Sequence, residues 1–118
     1  MQKDRTKTKK EEGLSAKKLR KTLSVLRVSC PPALPVKVRR GKISSEIYGD
    51  SSIGEKPTAH FLIRIATGMD ENTTLETLLH EWAHCLSWTA SHQRIKEHGP
   101  EWGIAYARVY RCIVDEEL

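Results

Sequence analysis

The sequence predicts one small α+β domain, built from an N-terminal helix, about three strands in one sheet, a helix carrying "HEWAH" and a C-terminal helix. Apolar residues recur at helical spacing in three stretches, which gives the helices. Between the first and second stretch they alternate at two-residue spacing, which gives the sheet. A chain of 118 residues is long enough to bury one core and too short for two.

Residues 1–13 are polar, charged and without periodicity, so they are expected to form a disordered basic arm, with the folded domain running from 14 to 118. From Ser15 onward Leu19, Leu23 and Leu26 share one helix face, and Lys17, Lys18, Arg20 and Lys21 turn outward. "CPPALP" at residues 30–35 stops that helix. Val36 and Val38 alternate with Lys37 and Arg39, Gly41 offers a turn, and Ile43, Ser45 and Ile47 alternate again, which predicts a strand pair over residues 36–48. "YGDSSIGEKP" reads as turn. "HFLIRIA", with Phe61, Ile63 and Ile65 on one face, reads as the third strand, and as the sheet edge on which an extended substrate would lie.

Thr73-Thr74-Leu75-Glu76 matches a capping box, and Leu75, Leu78, Leu79, Trp82 and Leu86 follow as one apolar stripe. After the polar connection "ASHQRIKEHG", Pro100 fits a first helical position. Trp102, Tyr106, Val109 and Ile113 then mark the last helix.

The net charge of +5 conceals a division. Residues 1–42 hold 14 of the 20 Lys and Arg but 3 of the 15 Asp and Glu, so a formal +11 precedes a body of −6. Such an arm suits an anionic partner, with DNA the foremost, and the bland reading is a solvated tail. No apolar run approaches the ~20 residues of a membrane span, and the N-terminus lacks a secretory signal's apolar centre. Cys30, Cys85 and Cys112 are odd in number and form no CxxC pair, which fits reduced thiols. An intracellular, cytoplasmic monomer is expected, nuclear if the source is eukaryotic.

The chemistry is concentrated in His80-Glu81-Trp82-Ala83-His84. Helix positions i and i+4 differ by ~40° around the axis, so both histidines can reach one metal ion, on a face away from the leucine stripe. Glu81 falls beside the ion, where a carboxylate can take a proton from water. A catalytic zinc needs a third protein ligand. His98, His92, Glu97 and Glu101 are the candidates, and "HGPEWG" favours His98 because Gly99 lets the chain turn and Pro100 starts a rigid helix. His92 reads as a solvated loop residue, His60 as a strand-end residue and Cys85 as core. Ser87 and Ala90 stand where the longer metzincin pattern needs its glycine and third histidine. Tyr106 and Tyr110 are candidate oxyanion donors, although Tyr106 sits on the apolar stripe and reads as core.

"TLETLLHEWAHCLSW" followed by "HGPEW" resembles the SprT-like metalloprotease family, which includes the Spartan proteases of DNA–protein crosslink repair. The similarity is expected over about residues 15–115. It implies a gluzincin-like α+β fold, one zinc ion on His80, His84 and His98, Glu81 as general base, and Trp102 in an aromatic packing position. No paired-cysteine zinc ribbon follows, so a minimal member is expected. The function expected is zinc-dependent cleavage of peptide bonds, on DNA-bound proteins in the fullest form. The alternatives are a noncatalytic DNA-binding module with structural zinc, which a closed four-ligand site would favour, and a peptidase dedicated to one regulatory protein.

Overall fold

A computed structural model describes residues 16–43, 47–88 and 99–117. The expected arm at 1–13 lies outside them. The order is α1 (Ala16–Ser29), β1 (Val36–Gly41), β2 (Gly49–Gly54), β3 (His60–Ala66), α2 (Glu71–Leu86) and α3 (Pro100–Glu117). This is the α+β layout that the periodicities predict.

Helix α1 buries Leu23 and Leu26 and leaves Lys17, Lys18, Arg20 and Lys21 exposed. Its last turn closes with the Cys30 amide on the Leu26 carbonyl at 2.8 Å, and Pro31 and Pro32 cannot continue the ladder. The Arg27 guanidinium then donates to the Val36 carbonyl at 2.9 Å, which ties the helix to the first strand.

The sheet order is β1-β3-β2, with β1 parallel and β2 antiparallel to β3. Two expectations are corrected here. The partner strand is not residues 43–47: Ile43 and Ile47 lie outside any strand, 44–46 lie outside the described residues, and β2 forms in the stretch expected to be turn. "HFLIRIA" is therefore the central strand, and the sheet edge beside the α2 helix is β2. The cause is packing. Phe61, Ile63 and Ile65 are fully buried and belong at the centre, whereas "GDSSIG" gains its place through its ladder to β3 and through lack of bulk. Gly49, opposite Ile65, lies so close to α2 that a Cβ there would stand 2.6 Å from Thr77 Cγ2 and 2.7 Å from the Arg64 carbonyl oxygen.

Gly68, at φ +87°, makes the turn from β3 into α2 in a conformation that suits glycine. The helix starts two residues before the expected box. Asp70 is the N-cap, accepting from the Thr73 amide at 2.7 Å, and that bond holds its carboxyl below the ordinary range. Thr73 and Glu76 thus fall inside the helix. The Thr74 and Thr77 hydroxyls donate to carbonyls one turn back, at 2.8 and 2.7 Å, as threonines within a helix do.

Helix α2 is buried on more than its leucine stripe. Leu78, Leu79, Trp82 and Cys85 join Phe61, Ile63, Ile65, Leu26 and Val109 in the core, while Thr74, Thr77, Glu81 and His84 are buried as well. The Trp82 indole donates to the Cys30 carbonyl at 2.9 Å, so the largest core side chain also satisfies a buried acceptor at the end of α1. A further tie is the Lys18–Glu71 ion pair at 2.9 Å between half-exposed side chains.

The Gly49 approach generates the first prediction. Gly49→Ala forces β2 away from α2, and its urea-unfolding free energy is expected to fall by about 1–3 kcal/mol. A midpoint equal to wild type would show that the strand does not sit this close in solution.

Candidate metal centre

His80 and Glu81 lie in the second half of α2 and His84 in its last turn, which Ser87 caps. The two imidazoles place Nε2 against Nε2 at 3.2 Å, with ring centroids 4.9 Å apart in a T-shaped arrangement. Glu81 Oε2 lies 3.9 Å from His80 Nε2, and the three donor atoms fall within 4.8 Å of one another. Glu81 and His84 are buried, while the His80 side chain is one-third exposed.

This geometry fits a tetrahedral ion. Two nitrogens bound at ~2.0–2.1 Å with a tetrahedral angle between them stand about 3.3 Å apart, close to the separation observed. Imidazole and carboxylate are also the donor chemistry that zinc takes, so the group could hold a metal ion.

The start of α3 covers the pair. Pro100 is the first helical residue, as expected, and Trp102 then lies 5.0 Å from the His80 ring and 5.5 Å from the His84 ring, centroid to centroid. Its indole N–H points at the His80 carbonyl at 3.5 Å. Tyr106 stands edge-on to both, 4.9 Å from Trp102 and 6.3 Å from His80. Val109 and Ile113 continue into the core as their spacing predicts. Tyr106 is partly buried and packs against that core, and its hydroxyl donates to Glu76 Oε2 at 2.8 Å. The histidine face of α2 is thus roofed by aromatic rings.

One side of the site opens into a cleft of about 720 Å³, walled by Tyr48, Gly49, Thr77, His80, Glu81 and Tyr106 and extended by Ile47, Glu76 and Tyr110. The start of β2 forms one wall and α3 the other. His98, the expected third ligand, lies outside the described residues, with His92 and Glu97. Glu101 is exposed in the first turn of α3, and among the described residues the metal-holding group consists of His80, Glu81 and His84. His60 starts β3, its Nδ1 2.8 Å from the Thr58 carbonyl, and Cys85 is in the core. Sequence reasoning passed over Glu76 and Tyr48. The signal for Glu76 was present, since it precedes His80 by four and shares its helix face.

Burial and the neighbouring Glu76 carboxylate push the Tyr106 hydroxyl up from 10.0 to about 12. A folded-state pKa above the unfolded one stabilises the fold below pH ~10, and this contribution is lost as pH rises toward 12. Alkaline difference absorbance is expected to show a component titrating near pH 12 that Tyr106→Phe removes. A titration curve unchanged by that substitution would contradict the Tyr106–Glu76 contact.

The SprT-like family model matches residues 45–116, which takes in β2, β3, α2 and nearly all of α3 and leaves α1 and β1 outside. No curated protein and no solved structure matches the chain. The match covers more than half of the sequence and contains the whole His80–Glu81–His84 group, its aromatic roof and its cleft, and the chain belongs to the SprT-like family.

Proposed function

We propose that this protein is a zinc-dependent peptidase of the SprT-like type. The observation that carries the reading is the pair of imidazole nitrogens 3.2 Å apart, next to a buried carboxylate, at the side of an open cleft. His80 and His84, with His98 as third ligand, would hold one zinc ion per chain, and zinc bound there would lower the pKa of a water to about 7 and polarise a peptide carbonyl. Glu81 takes the proton from the attacking water and delivers it to the leaving amine nitrogen. Glu81 is buried beside the cleft, and a Cβ at Gly49 would stand 3.6 Å from its Cγ. Trp102 keeps the imidazoles in place by contact with both rings. The exposed wall at Ile47–Gly49 leads into edge strand β2, along which an extended peptide would add its backbone hydrogen bonds.

Metal content and hydrolysis test the reading together. Wild type is expected to carry about one zinc per chain, His84→Ala to lose it, and His98→Ala to weaken it far more than His92→Ala. Glu81→Gln is expected to keep zinc while casein hydrolysis falls by about 10²–10⁴-fold. Equal hydrolysis by wild type and Glu81→Gln would sink the mechanism.

DNA-bound proteins are the substrates we propose on the strength of the charge division and of α1, where Lys17, Arg20 and Lys21 are exposed and Lys18 is paired with Glu71. Among the described residues no helix is long and apolar enough to cross a membrane. DNA binding is expected to weaken with salt by a log–log slope of ~0.7–0.9 per phosphate contact. Replacing Lys17, Lys18, Arg20 and Lys21 by Gln is expected to flatten that slope without changing zinc content. Titration of labelled DNA at two salt concentrations decides it, and no binding at low salt removes DNA from the partners.

A further inference from the structure

The cleft beside His80 and Glu81 has a chemical character that peptide hydrolysis does not require. Its described lining contains Tyr48, Tyr106 and Tyr110, the apolar Ile47 and the carboxylate of Glu76, and neither lysine nor arginine. Tyr48 and Tyr110 are 64% and 47% exposed, so their ring faces are available to a guest. Glu76 is exposed too, and the Tyr106 hydroxyl, donating to Oε2 at 2.8 Å, fixes the carboxylate in orientation.

We infer that Glu76 and the tyrosines around it form a specificity pocket for a lysine or arginine side chain of the substrate, next to the scissile bond. The inference rests on the peptidase reading and names the substrate class for that site. A cationic side chain is the guest whose parts match this wall. Its methylene stem packs on Ile47 and the tyrosine rings, its charge is attracted by ring faces, and its N–H groups make charge-assisted hydrogen bonds to Glu76. A glutamate in the same place would meet Glu76 as a like charge, with no lysine or arginine among the described lining to pair with it. A leucine would gain the stem contacts alone. Position supports the assignment as well. Glu76 precedes His80 by one helical turn, so a side chain bound to it belongs to a residue within one or two positions of the bond held at His80 and Glu81.

The test uses the full-length, zinc-loaded chain and a set of peptides identical except for one residue, set in turn to Lys, Arg, Leu or Glu at each of two positions on either side of the cleaved bond. At one of those positions Lys and Arg are expected to exceed Glu by tenfold or more in kcat/KM, with Leu between. Glu76→Gln, which keeps an acceptor for Tyr106, is expected to reduce that ratio to within about threefold, and Glu76→Lys to reverse it. A purely structural role for Glu76 would lower all four peptides alike. In parallel, calorimetric binding of the Lys and Glu peptides to Glu81→Gln reads the pocket without turnover. Hydrolysis with equal kcat/KM for Lys and Glu at every position overturns the pocket and leaves the peptidase intact. No hydrolysis of any peptide, together with tighter binding of the Lys peptide that Glu76→Lys reverses, overturns the peptidase and leaves the pocket. Equal binding of the two peptides to Glu81→Gln overturns the pocket whatever the hydrolysis shows.

Discussion

Everything at the candidate metal centre depends on α2 being unable to rotate about its own axis. Two imidazoles a turn apart on one helix move together, so the pair, with Nε2 atoms 3.2 Å apart, stays under Trp102 and beside the cleft only while the helix is fixed against its neighbours. A rotation of a few tens of degrees would break the contacts of both rings with Trp102. The Trp82 indole supplies much of this fixation, because it is fully buried and also donates to the Cys30 carbonyl at 2.9 Å. A buried acceptor deprived of that donor would cost about 1–3 kcal/mol, on top of the indole's lost packing. Trp82, one of the two residues between Glu81 and His84, is thus set by folding. Trp82 points one way so that Glu81 and His84 can point others.

The same helix is squeezed from a second direction by β2. Gly49 admits α2 to within contact of the strand backbone, and this contact sets the wall of the cleft next to Glu81. On the third side α3 contributes rings in place of aliphatic chains, and the reason is chemical. Trp102 and Tyr106 fill the space over two imidazoles while offering N–H and O–H groups to the His80 carbonyl and to Glu76. Leucines at 102 and 106 would pack on the histidines but leave those acceptors to water. A helix that is polar on its site face therefore still has well-filled surroundings, which is why His84 and Glu81 are as buried as the core.

The parts of this arrangement that follow from local periodicity were legible in the sequence. The α1 stripe of Leu23 and Leu26, the Pro100 start of α3 and the i, i+4 histidines each depend on a few neighbouring residues. What depended on distant residues was not legible. Strand β2 has the composition of a turn, and it becomes a strand because β3 offers a ladder and α2 leaves room only for glycine at 49. Asp70 prevailed over the Thr73 box because its carboxylate reaches the Thr73 amide, a competition between two plausible caps three residues apart. Tyr106 packs against the core as its spacing predicts, but the bond from its hydroxyl to Glu76 depends on α3 crossing the histidine face of α2, which spacing does not show.

The absence of lysine and arginine from the described cleft lining has a physical sense. At 10 Å a single positive charge repels a divalent ion by about 0.8 kcal/mol even at the dielectric constant of water, and by more beside a protein wall. Among the described residues, lysine and arginine are absent from the cleft lining, which spares the site that repulsion. A cationic substrate side chain, on the reading proposed above, would bring the same penalty with it. Glu76 offsets the penalty because it meets the incoming charge one helical turn short of His80, and its bond from Tyr106 holds it there. The tyrosine therefore does more for the pocket as a partner of the carboxylate than it would as a free hydroxyl in the cleft. On that reading it holds the Glu76 carboxylate in one orientation, one helical turn from His80, to receive the cation.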